Sequence, residues 1–148
     1  MTKEEYSEMA YEVCAGNKYA MRFLVQSAEL FRIWDDIWDQ DKPIDPIKFD
    51  DVFSDLCFGF GGNPFFKEHR DVLEAQIFVS WNAWQAANNW QDDPDKMKRM
   101  YSFFVRDYCF ELEHLVAWLC GGKEHAKRMN MIIREKALTQ LKTQPTNF

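Results

Sequence analysis

Trp34-Asp35-Asp36-Ile37-Trp38-Asp39-Gln40-Asp41-Lys42-Pro43 closes a long apolar segment and packs four aspartates and two tryptophans into its first eight residues. An α-helix turns about 100° per residue. Asp35, Asp36 and Asp39 therefore share one arc, as i,i+3 and i,i+4 neighbours do. Trp34, Ile37 and Trp38 fall opposite. The helix carrying this stretch thus shows a carboxylate face and an aromatic face at one level. Carboxylates at a helix C-terminus oppose the partial negative charge there and need a cation to offset them. Arg32, one turn earlier on the same side, is one candidate, and a metal ion is the other.

Working back, Asn17 offers an N-cap, and Tyr19, Phe23, Leu24, Leu30 and Phe31 join Trp34 and Trp38 at helical spacing. Met21, Val25 and Ala28 lie along the side that later carries the aspartates. A solvated face would be polar along its whole length. One that begins apolar and ends acidic marks a central helix whose end lines a pocket. Upstream, the capping box Thr2-x-x-Glu5 starts a first helix over 3–15, stopped by Gly16.

Downstream, Lys42-Pro43 breaks the helix, and Asp45-Pro46 opens a short third one to about Leu56. Gly59, Gly61 and Gly62 read as a flexible turn. Asn63-Pro64 opens a fourth helix to about Gln91, bent near Lys67–His69. The fifth spans about Pro94–Cys120 and ends at Gly121-Gly122; the sixth covers about Lys123–Lys142, followed by a frayed tail, Thr143–Phe148. No segment keeps a period of two with β-branched residues, so no sheet is expected. The reading is a single all-α domain over 1–148, a compact bundle of five or six helices with the second, fourth and fifth around a common centre.

Composition fits that reading. A length of 148 residues suits one core, and 13 Phe, 6 Trp and 5 Tyr imply a core built from rings. No apolar run approaches the ~20 residues of a membrane span, and no secretory signal opens the chain. The four cysteines form no C-x-x-C pair and read as buried reduced thiols, which points to the cytoplasm. Residues 1–93 hold 8 basic against 18 acidic side chains, and residues 94–148 hold 10 against 6. Nucleic acid is therefore not an expected partner.

Two further groups of residues carry candidate chemistry. On the fifth helix Asp107, Glu111 and His114 fall within about 60° on the wheel, amid Tyr101, Phe103, Phe104, Phe110 and Trp118. Arg106 and Glu113 point elsewhere and read as a solvated pair. Two helices that each bring acids into apolar surroundings invite a shared cation. Oxygen donors select Mg²⁺, or Mn²⁺, with Asp35, Asp36, Asp39, Asp107 and Glu111 as the ligands. The competing reading pairs the acids with Arg32, Lys42 or His114, which also stand as ligand-binding candidates. On the fourth helix Asn82, Gln85 and Asn89 share a face with Glu74, Phe78 and Trp81, as the wall of a small-molecule pocket would. Glu111-Leu112-Glu113-His114 matches the E-x-x-H of di-iron bundles, but no second copy exists. A G-x-S-x-G nucleophile and a phosphate-binding glycine loop are absent.

Asp35-Asp36-x-x-Asp39 resembles the aspartate-rich motif of isoprenoid diphosphate synthases. That likeness implies Mg²⁺ ions on Asp35, Asp36 and Asp39 holding a diphosphate. The family's second aspartate-rich motif is missing, and the chain is much shorter. The all-α nucleoside triphosphate pyrophosphohydrolases are similar in size, but their paired E-x-x-E and E-x-x-D motifs do not occur. From Met21 to Gly122 the succession W-D-D-x-x-D-x-D-K-P, N-P-F, R-D-Y and a helix ending in G-G resembles small uncharacterised helical proteins of tailed phages. It implies a viral setting and, with it, the host cytoplasm. The functional expectation is a Mg²⁺-binding pocket that binds or turns over a diphosphate or nucleotide-like ligand. The alternative is a structural or host-interaction protein whose acidic face meets a basic partner.

Overall fold

A computed structural model describes residues 3–40 and 42–143. Of these, 86% are helical, and no strand occurs among them. The elements are α1 (Lys3–Val13), α2 (Lys18–Asp39), α3 (Pro46–Ser54), a π-helical turn (Asp55–Gly59) running into α4 (Phe60–Gly62), α5 (Pro64–Trp90), α6 (Lys96–Val105), a 3₁₀ turn (Tyr108–Phe110) and α7 (Glu111–Leu141). Thr2 of the capping box, Asp41 and tail residues 144–148 lie outside the described residues. Among the described residues no helix is long and apolar enough to cross a membrane.

The helix starts are those the caps specify. Asn17 accepts from the Tyr19 and Ala20 amides at 3.0 and 3.1 Å. Asp45 accepts from Ile47 with Pro46 in the first turn. Asn63 accepts from Phe65 and Phe66, and its amide donates to the Tyr19 carbonyl at 2.9 Å, which ties α5 to the start of α2. The bend expected near residues 67–69 falls at His69, where φ is −114° and ψ 18°.

Three expectations need correction. Gly59, Gly61 and Gly62 are helical rather than a loose turn. A side chain on Gly59 would stand 2.6 Å from Asp55 Oδ1, so this glycine makes room inside the π turn for Asp55, which accepts from Gln26. The expected fifth helix is two pieces. It ends at Val105, Asp107 leaves helical geometry (φ −95°, ψ 24°), and a 3₁₀ turn leads into α7. Finally, Cys57 is exposed rather than buried, because the π turn faces it outward between Leu56 and Phe58.

Gly122 (φ +75°, ψ −174°) interrupts α7 where the fifth helix was expected to stop. Glu111 and Arg134 bond to each other across this break. On a straight helix 23 residues apart they would be separated by roughly 35 Å. The chain therefore doubles back at Gly122, and α7 is two antiparallel arms. The core lies among α1, α2, the front of α5 and both arms. Phe23 packs on Phe60, Phe65 and Phe66 with centroids 5.5–6.1 Å apart, and Val13, Leu24, Leu73, Val116 and Ile133 are fully buried around them. The first helix thus contributes more to the centre than its sequence suggested.

Candidate functional site

At the level of the aspartate-rich stretch a half-open cavity of about 190 Å³ lies between α1, α2, α5, the 3₁₀ turn and α7. α2 supplies Ser27, Ala28, Phe31, Arg32 and Asp35; Ala28, Arg32 and Asp35 lie on the side expected to line a pocket, and Phe31 comes from the aromatic side. The break before the 3₁₀ turn supplies Arg106 and Asp107. The first arm of α7 supplies Glu113, the returning arm Gln140, and α1 Tyr6.

Asp35 is held from the aromatic side. Trp84 Nε1 donates to Asp35 Oδ1 at 3.0 Å, and the Trp84 ring meets Trp34 and Trp38 edge-on with centroids 6.2 and 5.5 Å away. The acidic and aromatic faces of α2 are thus joined by one residue of α5. Asp107 faces Asp35 across the cavity. Burial raises its pKa, the Arg106 guanidinium opposes that, and the Asp35 charge adds to it.

Glu113 was read as a solvated residue; it is 4% exposed. The wheel that turned it outward ran through the break at Asp107. Counted from the true start of α7, Glu113 falls in line with buried Val116 and Ala117. The Tyr6 hydroxyl donates to Glu113 Oε1 at 3.0 Å, with the Leu24 carbonyl at 3.3 Å as a second acceptor. Burial pushes Glu113 up to about 8 against the effect of that hydrogen bond. Burial thus favours the uncharged form of Glu113 at neutral pH. Arg106, the other half of the supposed solvated pair, stands in the cavity wall.

Three oxygens of residues lining this cavity are buried and have no hydrogen-bond partner: Ser27 Oγ, Asp107 Oδ2 and Glu113 Oε2. Buried polar atoms are nearly always paired, and leaving one bare costs about 1–3 kcal/mol. All three are sealed behind the cavity wall, out of reach of a water-sized molecule.

The remaining candidates lie elsewhere. Glu111 pairs in a fork with Arg134. Asp36 lies 3.7 Å from Lys42 Nζ at the surface. Asp39 is exposed at the end of α2. His114 is half-buried with Nε2 unpaired, and burial, then the Arg134 charge, lowers its pKa; it does not line the cavity. Asn82 is exposed and donates to the Phe78 carbonyl of its own helix. Gln85 and Asn89 are outside the cavity wall too. Among the described residues no group of three or more His, Cys, Asp or Glu side chains is arranged to hold a metal ion. The structure thus brings together Asp35, Asp107 and Arg32 and separates the other acids from them.

Tyr6, Ser27, Trp84, Arg106 and Glu113 were not identified from sequence as members of the site. Only Glu113 left a usable signal, an acid three and four residues before Val116 and Ala117. No protein family, curated protein or solved structure matches the chain, so its site is read from its own geometry.

Proposed function

We propose that the protein binds a small ligand that presents a positive charge to the cavity between α2 and α7. The supporting observation is that Asp35 and Asp107 line one pocket of about 190 Å³, where the Asp35 charge adds to burial in raising the pKa of Asp107. A cation there relieves the repulsion between them. Arg32 is exposed, and an anionic part of the same ligand would meet it first. Mg²⁺ is the inorganic form of such a cation, and it would meet Asp35 and Asp107 rather than the five acids of the sequence pattern. An organic ammonium needs only hydrogen-bond acceptors.

Thermal-shift titrations with Mg²⁺, Mn²⁺, Mg²⁺ plus pyrophosphate, and ethylammonium test this. At least one should raise Tm in a saturable way, and Asp107→Asn should remove that rise. A Tm that no cation moves, or a rise that survives Asp107→Asn, refutes it.

A second reading has its own observation. Ile47, Phe53 and Phe58 on α3 and the π turn are 74%, 56% and 74% exposed, beside exposed Asp50 and Asp51. An apolar patch rimmed by acids suits a basic amphipathic segment of another protein. Fluorescence polarisation with a labelled Lys/Leu-rich helical peptide, compared with Phe53→Asp, tests it; equal binding by both chains counts against it.

A further inference from the structure

In α3 every residue but Val52 is exposed. A helix of nine residues holds in water only by packing on something else. Yet Phe49 and Phe53 stack on each other at the surface, with centroids 6.3 Å apart. The π turn carries the apolar surface on through Leu56 and Phe58, which are 52% and 74% exposed. Leu56 also lines a half-open cavity of about 220 Å³ with Leu30, Trp34, Ile77 and Trp81. The one hydroxyl in its wall, on Ser80, is engaged with the Tyr108 carbonyl at 3.3 Å. The cavity thus offers a seat to an apolar side chain that approaches along α3.

The chain itself contains a complementary surface. Residues 45–58 hold 4 Asp against 1 Lys, whereas residues 123–142, the returning arm of α7, hold 6 Lys and Arg against 2 Glu. Ile133 and Leu141 of that arm are buried. Met131 and Leu138, seven residues apart and so on one side of the helix, are 59% and 48% exposed. Lys127, Arg128 and Lys142 stand exposed around them. The basic side chains of α6 are less suited, since Lys98 and Arg99 are engaged with Asp93. Within one chain the two surfaces rest on different neighbours: α3 on α2 and the π turn, α7 chiefly on α1 and α5.

We infer that the partner of the α3 patch is a second copy of this chain, whose returning arm lies on α3 and the π turn. Met131 or Leu138 then meets the apolar cavity, and Lys127, Arg128 and Lys142 meet Asp50 and Asp51. This rests on the reading of the patch as a site for a basic amphipathic segment and names that segment. Apolar contact at the centre and opposed charges around it are what a specific interface combines. A small hydrocarbon would fill the cavity and leave α3 uncovered. An anionic membrane surface would repel the aspartates of the patch. Every copy carries both faces, so the pairing closes into a ring or continues to further copies.

Sedimentation velocity of the native chain over a wide range of concentration tests the inference. We expect the mass to rise with concentration above the 17.7 kDa of one chain. Phe53→Asp on one face and Met131→Asp on the other, both at exposed positions, should each hold it at one chain. Asp50→Lys with Asp51→Lys should do the same, as should Lys127→Glu with Arg128→Glu, because like charges then meet. Mixing these two charge-reversed chains should restore association, since each face again finds its opposite. Misfolding of either variant does not produce that recovery. A native chain that stays single at every concentration overturns the inference. If that chain still binds the Lys/Leu-rich peptide and Phe53→Asp does not, the reading of the patch stands; if neither binds, both fall. Association that survives the changes on both faces, or charge-reversed chains that stay single when mixed, overturns the inference as well.

Discussion

Glu111 and Arg134 stand 23 positions apart and grip each other through two hydrogen bonds across the reversal of α7. Their pairing decides what Glu111 does. Its carboxylate clasps the returning arm instead of reaching the Asp35 side of the bundle. Glu111→Gln should therefore leave any cation-induced rise in Tm unchanged, while Asp107→Asn abolishes it. The cost in stability should be about 1 kcal/mol, as Arg134 is half exposed. Denaturant titration beside the cation series checks both statements.

Glu113 makes stability depend on pH in a definite direction. Its pKa is raised from 4.5 to about 8 in the folded chain. The folded state then holds a proton that the unfolded state has released, so this contribution is full below about 4.5 and is lost as pH rises through 8. Asp107, also raised, acts in the same sense at lower pH. His114, lowered, acts in the opposite sense below 6.5. Between pH 6.5 and 8 the Glu113 contribution should fall by about 2 kcal/mol. Urea unfolding of the native chain and Glu113→Gln across that interval isolates it. The glutamine keeps an acceptor for Tyr6 and should flatten the slope; parallel curves would contradict the assignment.

Trp84 should couple energetically to Asp35. Trp84→Phe takes the donor from Asp35 Oδ1, and an acceptor deprived of its partner costs about 1–2 kcal/mol. In an Asp35→Ala background the same change should cost less by roughly 1 kcal/mol. Additive losses in the double-mutant cycle would show that the indole contributes only packing.

Two adjacent glycines should fail for different reasons. Gly122 adopts φ +75° and ψ −174°, a region open essentially to glycine alone, and Gly122→Ala should cost on the order of 1–3 kcal/mol. Gly121 has an ordinary φ, but a methyl there would stand 2.4 Å from the His125 ring, which bonds the Val13 carbonyl through Nε2. Gly121→Ala should push that ring off α1, and His125→Ala should restore part of the loss. Calorimetric Tm values for the two variants and the double change distinguish strain from collision.

The helices were legible because their start signals are local. Asn17, Asp45-Pro46 and Asn63-Pro64 act within three residues of themselves, and each caps the helix its spacing announced. Of the apolar-to-acidic face of α2, Ala28 and Asp35 line the cavity, whereas Met21, Val25, Asp36 and Asp39 do not. The site's other half was not legible. A helical wheel carries direction only while the helix is unbroken, and no proline or glycine marks the departure at Asp107. The break turns α7 relative to α6, and the wheel drawn through it placed Glu113 outward and Glu111 inward. Tyr6 and Trp84 reach the cavity by tertiary packing from helices distant in sequence, which no local spacing encodes.

The doubling-back at Gly122 also sets the order in which this protein can become complete during synthesis. Residues up to 121 contain α1, α2, α5 and the first arm, with Asp35, Asp107 and Glu113 already in the chain. Arg134, which engages Glu111, and Gln140, which closes the cavity wall, are translated after them. A nascent chain that has just passed Gly122 therefore carries the acids of the site and much of its aromatic core without the arm that covers them. Until the ribosome releases the returning arm, the surface meant for Ile133 and Leu141 stays open to water and to other chains.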